Sequence, residues 1–158
     1  TLFPYTTLFR SEWLTAGSDD AATIKVQITN STPGNTPIGG ATVEFAVDTT
    51  SGSITPAVTT TDTSGMATAV FTPGTVAGAA PITVTVSYDD GEEVLVQEGT
   101  FLQQIDNAAP YQIGNIWYEP EVTAGGTTAV AVRMVDRYGN PVDNLREVET
   151  VGVMVGSP

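Results

Sequence analysis

The chain begins the same pattern of residues twice, about a hundred residues apart. A Thr-Ala-Gly turn signal precedes a run of alternating apolar and polar residues at Thr15, and the same signal occurs at Thr123, 108 positions later. Each run leads to a Gly-Asn pair with a nearby proline, at Gly34 and at Gly139. A repeat of this length suits one β-sandwich and is too long for a solenoid unit. The pattern therefore predicts two successive β-sandwich domains.

Alternation with a period of two recurs through the first copy and indicates strands with one buried face in antiparallel sheets. The residues predicted to face the core are Ile24, Val26 and Ile28; Val43, Phe45 and Val47; Ala67, Ala69 and Phe71; and Ile82, Val84, Val86 and Tyr88. Turn signals at Gly39-Gly40, Asp62–Gly65 and Asp89–Gly91 separate these segments. No stretch of useful length carries helical periodicity, so we predict an all-β chain with about seven strands between residues 12 and 103.

The spacing of the copies predicts a complete first domain over residues 12–105, a short linker over 106–111 and a truncated second domain over 112–158. The proline in this linker restricts the preceding residue to extended conformations, which limits the bend between domains. The polar stretch 143–149 is expected to form a short helical turn or a loop. A strand with alternating valines is predicted after it, at Val151, Val153 and Val155.

The first eleven residues fit neither copy. Thr1–Ser11 matches, residue for residue, the translation of a common sequencing-adapter oligonucleotide. We therefore interpret residues 1–11 as adapter-derived and expect them to take no part in the fold. They do not form a signal peptide, because a basic leading region is absent and both Pro4 and Arg10 interrupt the apolar run.

Composition excludes several classes of function. The chain has 18 acidic and 5 basic residues, a net charge of −13, which repels phosphate backbones and anionic lipid. We therefore expect no nucleic-acid partner and no direct membrane contact by this segment. The sequence has no histidine and no cysteine, which removes histidine bases, zinc-histidine sites and thiol nucleophiles. We expect a protein that is not an enzyme and carries no cofactor.

Four carboxylates surround a predicted hairpin turn at Gly91 and are the candidate metal ligands. They are Asp89, Asp90, Glu92 and Glu93. Hard oxygen ligands suit Ca²⁺, but their spacing differs from that of an EF-hand loop, and a solvated hairpin tip is the favoured interpretation. We therefore predict no metal site, with calcium at this turn as the alternative.

Three aromatic residues after the linker are the candidate ligand-binding residues. Tyr111, Trp117 and Tyr118 could form a platform on which a sugar stacks, or they could pack at the entrance of the second domain. Packing is favoured, because large aromatic rings bury much apolar area while their polar tips stay wet. Exposed, coplanar rings would instead favour a binding module.

Two segments of the first copy resemble motifs of the bacterial Ig-like domains of group 1, the invasin and intimin type. Asp62–Thr68 is similar to the family's T-D-x-x-G-x-A pattern, and Gly34–Phe45 is similar to its G-N-P-V-x-G-x-x-V-x-F pattern with Thr36 inserted. The second copy has the uninterrupted form at Asp136–Val142. The resemblance implies an Ig-like antiparallel β-sandwich, with the alanines at 67 and 69 letting the sheets approach opposite a bulky residue such as Phe45. It also implies surface display in bacteria or archaea and supplies no catalytic residues.

Three functions remain open at this point. The first is a non-catalytic stalk or spacer repeat of a cell-surface or secreted adhesin-like protein, whose partners are neighbouring Ig-like repeats and whose distal tip meets a protein or glycan. The second is a module that itself binds a glycan or host ligand. The third is an accessory domain of an extracellular polysaccharide-degrading enzyme. The resemblance favours the first, with an extracellular or cell-surface location.

Overall fold

The structure is a computed structural model that describes residues 2–5, 13–30, 34–121 and 123–142. The chain divides into two compact units, Thr1–Ala108 and Ala109–Pro158. Within the described ranges every regular element is a β-strand, as the alternating sequence predicts. The turn or loop expected at 143–149 and the strand expected around Val153 lie outside the described residues.

The described part of the first unit contains two sheets. The first sheet contains, in spatial order, β1 (Leu2–Tyr5), β3 (Ala22–Asn30), β7 (Met66–Pro73) and β5 (Gly52–Thr55). The second sheet contains β2 (Leu14–Thr15), β9 (Val94–Asp106), β8 (Gly78–Asp89), β4 (Thr42–Val47) and β6 (Val58–Thr60). Every pairing is antiparallel except that of β2 with β9, which is parallel.

The strand order is that of an immunoglobulin-type sandwich. Strand β1 lies in the first sheet and β2 in the second, β3 joins the first sheet, and the chain then crosses repeatedly between the two layers. The predicted all-β, Ig-like antiparallel sandwich is therefore confirmed.

The core lies between the two sheets and contains the predicted inward residues. The buried apolar residues of this core are Leu14, Ala16, Ala22, Ile24, Val26, Ile28, Ala41, Val43, Phe45, Ala67, Ala69, Phe71, Ala80, Ile82, Val84, Val86 and Ile105. Val47 and Tyr88 pack against its margin. The two small residues Ala67 and Ala69 belong to one sheet and Phe45 to the other, and all three share this core, as expected.

The last hairpin is longer than the alternation pattern indicates. Strands β8 and β9 pair continuously from Asp89↔Val94 to Gly78↔Ile105, and β9 ends at Asp106. The next strand begins at Pro110, so only residues 107–109 lie between them, whereas the sequence predicts a linker over 106–111. The reason is tertiary, because pairing with β2 extends β9 to its last residue.

Some of the amino-terminal residues take part in the fold, which differs from the expectation that residues 1–11 would not. Leu2–Tyr5 forms a strand along β3, from Leu2↔Asn30 to Tyr5↔Gln27. An exposed sheet edge accepts any extended segment through backbone hydrogen bonds, which require no particular side chains. The origin of residues 1–11 in an adapter stays a prediction.

The second unit contains a two-stranded antiparallel sheet of β10 (Pro110–Tyr118) and β11 (Val130–Asp136) in its described part. The register runs from Pro110↔Asp136 to Tyr118↔Val130 and shifts twice, after Pro110 and after Ile113. One face of the paired strands is apolar and carries Ile113, Ile116, Tyr118, Val130, Val132 and Met134. The same alternation that builds the first core therefore recurs here.

Candidate functional site

The two motif segments of the first unit meet each other, since the turn at residues 62–66 packs on the loop at residues 34–41. Ile28 N donates a hydrogen bond to Gly65 O (2.8 Å), and Gly40 N donates one to Thr61 O (2.9 Å). A methyl group on Gly39 would lie 2.8 Å from Asp62 O, so the two backbones touch there. The motif residues therefore have a structural role, because their backbone contacts hold neighbouring strands together.

Asp62 organises this turn with its side chain. Its Oδ1 accepts hydrogen bonds from Ser64 N (2.8 Å), Ser64 Oγ (2.6 Å) and Met66 N (3.0 Å). The backbone adds Gly65 N to Asp62 O (2.9 Å) and Asp62 N to Met66 O (2.9 Å). Gly65 has a φ of 73°, a conformation that favours glycine, as the turn signal predicts.

Thr61 is a structural residue that the sequence reasoning missed. Its side chain is buried. The Oγ1 atom accepts a hydrogen bond from Ala41 N (3.0 Å) and donates one to Ile38 O (2.7 Å). The hydroxyl thus satisfies two backbone groups of the neighbouring loop. The T of the T-D-x-x-G pattern was its only signal in the sequence.

We expect Thr61→Val to lower the free energy of unfolding by about 1–3 kcal/mol. The substitution keeps the shape and leaves Ala41 N and Ile38 O without their partner. Chemical denaturation measures the loss, and Thr61→Ser should recover most of it. Thr60→Val, at an exposed position of β6, is the matched control. Equal stability of the two valine variants would contradict this role of the hydroxyl.

The same turn occurs a second time, at the end of β11. Asp136 is buried, and its Oδ1 accepts hydrogen bonds from Tyr138 N and Asn140 N, both at 2.9 Å. Asn140 Nδ2 donates to Asp136 Oδ2 (2.8 Å), and Gly139 has a φ of 87°. Asp-x-x-Gly therefore specifies one local geometry at two places, because a short carboxylate can accept the amides of a tight turn.

Each unit contains the same set of internal backbone contacts, at equivalent positions in the two copies. Thr29 forms an isolated antiparallel bridge with Pro37, and Val135 forms one with Pro141. The accompanying bonds are Ile38 N to Ile28 O (3.0 Å) and Val142 N to Met134 O (3.1 Å). The Thr-Ala-Gly turns also agree, with Ser18 N donating to Thr15 O (3.1 Å) and Gly126 N donating to Thr123 O (2.8 Å). The sequence similarity between the copies therefore extends to their local structure.

The predicted hairpin tip is present, and both of its aspartates accept hydrogen bonds from backbone N–H groups of the turn. Asp89 Oδ1 accepts Gly91 N (2.9 Å), and Asp90 Oδ1 accepts both Glu92 N and Glu93 N (2.9 Å each). Within the described residues no group of three or more acidic side chains is placed to hold a metal ion. Calcium binding at Asp89, Asp90, Glu92 and Glu93 stays a prediction.

Three aspartates at turns have lowered pKa values because they accept hydrogen bonds. The Ser64 hydroxyl, followed by the Met66 N–H, lowers the pKa of Asp62, and the Glu93 and Glu92 N–H groups lower the pKa of Asp90. The Thr50 hydroxyl lowers the pKa of Asp48 in the same way. Ionised carboxylates therefore stabilise these turns.

Asp62→Asn should cost stability at neutral pH and progressively less at low pH. Since the folded-state pKa is lowered, the stabilisation by ionised Asp62 is complete above the unfolded pKa of about 3.9 and is lost as the pH falls through the folded pKa. Denaturation of both proteins between neutral and strongly acidic pH measures the difference. Asp19→Asn, at an exposed position, controls for the change in net charge. A difference that does not vary with pH would contradict the argument.

The three aromatic candidates lie on β10 and are exposed, which differs from the favoured expectation that they pack. Tyr111 is 70% exposed, Trp117 50% and Tyr118 65%. They do not form one platform either. Trp117 and Tyr118 are successive strand residues and point to opposite faces. Tyr111 lies at a register shift, about 20 Å from Trp117 along the strand. The proximity of the three aromatic residues in the sequence suggested that they share a surface. The pleat of the strand instead directs Trp117 and Tyr118 to opposite faces.

Comparisons with known proteins find similarity among solved structures. No family model matches the chain, and no curated protein matches it. Among solved structures, the chain is similar to the "D0-D1 domain of Intimin". The TM-score is 0.41 at 14% identity, with 91% of this chain and 68% of that chain covered. The Ig-like fold of this chain follows from its strand order and pairing. Among the described residues no helix is long and apolar enough to cross a membrane.

Proposed function

We propose that this chain is a non-catalytic spacer from a tandem array of Ig-like domains in a cell-surface or secreted adhesin-like protein, located outside the cell. The shared bridges and turns of the two units support the tandem array, because they place equivalent backbone contacts 104–108 residues apart. Its partners are the neighbouring repeats of the same polypeptide. The distal tip of such an array would contact a protein or glycan.

The observation that carries the proposal is the parallel pairing that closes the first unit. Strand β2 pairs with the end of β9 through Leu14↔Ile105 and Thr15↔Asp106, and Ala16 N donates to Asp106 O (2.8 Å). Tension along a tandem array passes from β1 to the amino-terminal end of β2 and leaves the unit just after β9. Because the two strands are parallel, the tension loads all their hydrogen bonds at once. Such an arrangement suits a domain that bears load.

Single-molecule pulling on the full chain tests the proposal. Ala16→Pro removes the N–H that donates to Asp106 O, so the force at which the first unit unfolds should fall. Val26→Ala, in the core and away from this pairing, is the control, with the two variants compared at equal equilibrium stability. A drop in force for Ala16→Pro beyond that of the control supports the spacer. Forces that follow equilibrium stability alone would contradict it.

A second candidate function, binding of a glycan or host ligand, is favoured by the exposure of the β10 aromatics. Since their rings lie on different faces, a ligand would stack on Trp117 without Tyr118. A glycan-array signal that Trp117→Ala abolishes and Tyr118→Ala retains would place binding above the spacer role. Absence of a signal for the unmodified chain would remove this candidate.

A further inference from the structure

The paired strands β10 and β11 have a second face, opposite to the apolar one, with a different chemistry. Its residues alternate with the apolar residues and are exposed to solvent. They include Asn115, Trp117, Ala131 and Arg133, and we call this surface the Trp117 face. It combines an aromatic ring, a positive charge and an amide that both donates and accepts hydrogen bonds.

The strand register places these side chains next to each other. Asn115 pairs directly with Arg133, and Trp117 pairs directly with Ala131. The Cβ atoms of directly paired residues lie about 4.5–5.5 Å apart, and diagonal neighbours lie about 7–8 Å apart, which aromatic and long side chains can span. Arg133 is a diagonal neighbour of Trp117, so the guanidinium group and the indole ring can contact the same small molecule.

The indole ring of Trp117 keeps a large accessible surface because its neighbour is small. Ala131 lies directly opposite and ends at a methyl group, and half of the Trp117 side chain is exposed. The face of an aromatic ring has a negative electrostatic potential. It therefore attracts the positively polarised C–H groups on one side of a sugar ring.

The positive charge of Arg133 is not opposed by a carboxylate across the strand pair, because the residue opposite is Asn115. Asp136 is the one carboxylate in the two strands; it is buried and accepts hydrogen bonds within its own turn. A guanidinium group binds a carboxylate through two parallel hydrogen bonds. Since salt screens charges beyond about 8 Å, this local group favours an anion despite the net charge of −13.

We propose that the Trp117 face binds an acidic carbohydrate built of uronic acids. Trp117 stacks on one sugar ring, Arg133 binds a ring carboxylate, and the Asn115 amide bonds to hydroxyl groups. A uronic acid carries its carboxylate on the ring itself, so neighbouring side chains can contact both groups. The proposal rests on the second candidate function, glycan binding, and names its ligand class; it does not depend on the spacer role.

NMR titration of the full chain with oligosaccharides of galacturonate, mannuronate and glucuronate tests the proposal. Trp13 and Trp117 are the two tryptophans, so their indole N–H signals report separately on the two units. At least one of the three uronates should shift the Trp117 signal and leave that of Trp13 in place. Its methyl ester keeps the shape without the charge and should bind about tenfold more weakly, because it lacks the charge-assisted hydrogen bonds.

Variants of exposed residues separate the contributions of the charge and the ring. Arg133→Gln should weaken uronate binding about tenfold and leave the affinity for the methyl ester unchanged. Arg137→Gln makes the same change of charge in the turn after β11 and should alter neither affinity. By calorimetry, Trp117→Ala should abolish binding, whereas Tyr118→Ala on the opposite face should retain it.

The possible failures of this proposal differ from that of glycan binding in general. Equal affinity for a uronate and its methyl ester, with the Trp117 signal shifted, would overturn the acidic ligand and leave glycan binding in place. A Trp117 signal that none of the three uronates shifts would also overturn the proposal. Equal losses of affinity in Arg133→Gln and Arg137→Gln would show attraction by net charge alone and would overturn it too.

Discussion

Phe71→Ala should lower the free energy of unfolding of the first unit by about 3–5 kcal/mol. The ring is fully buried on β7, between Ala22 on β3 and Ile54 on β5 in the sheet register. A methyl group on Gly52 would lie 2.7 Å from the ring, so the backbone packs directly on it. The flanking strands cannot collapse into the space left by the ring. The expected loss of unfolding free energy is large beside a typical stability of about 5–15 kcal/mol.

Val70→Ala is the matched control for this prediction. Val70 is the preceding residue of β7 and points to the other face of the sheet, where it is 41% exposed. Its truncation should cost less than about 1 kcal/mol. Trp13 and Trp117 are the two tryptophans, so Trp117→Phe lets Trp13 fluorescence report urea unfolding of the first unit. Similar losses for both variants would contradict the assignment of the core.

Gly65→Ala should cost about 3 kcal/mol or more. A Cβ at this position would lie closer than van der Waals contact to Ile28 O, with Ile38 N and Pro37 Cβ at 3.1 and 3.2 Å. The positive φ of 73° adds about 1–2 kcal/mol for any residue with a side chain. The clash is with backbone, and Ile28 N donates to Gly65 O at the same place, so neither strand can move away without breaking a bond.

Gly91→Ala separates the two causes. Gly91 has a similar φ of 88°, in the turn between β8 and β9, and nothing lies within 4 Å of its Cβ position. It should therefore show only the conformational cost of about 1–2 kcal/mol. The same denaturation experiment compares the two glycines. If they cost the same, contact between the turn and the 34–41 loop contributes nothing.

Local patterns of the sequence predicted the elements and the orientation of their side chains. Ile24, Val26 and Ile28 alternate with polar residues, and the period of two assigns them to one face wherever the strand lies. Asp62 and Gly65 specify a tight turn through short-range hydrogen bonds and a positive φ. The candidate residues of the aromatic site were less predictable, because burial of Trp117 depends on what packs against β10.

Amino-acid sequence by itself determined the all-β class, the core faces of the strands, the turn chemistry and the repeat of about a hundred residues, because each depends on neighbours in the chain. The tertiary structure alone decided which strands pair. It joined β2 to the end of β9 in parallel, brought the Thr61 hydroxyl to Ala41 and Ile38, placed Leu2–Tyr5 along β3 and separated Trp117 from Tyr118. These contacts join residues far apart in sequence or depend on register, and backbone pairing at a sheet edge requires few specific side chains.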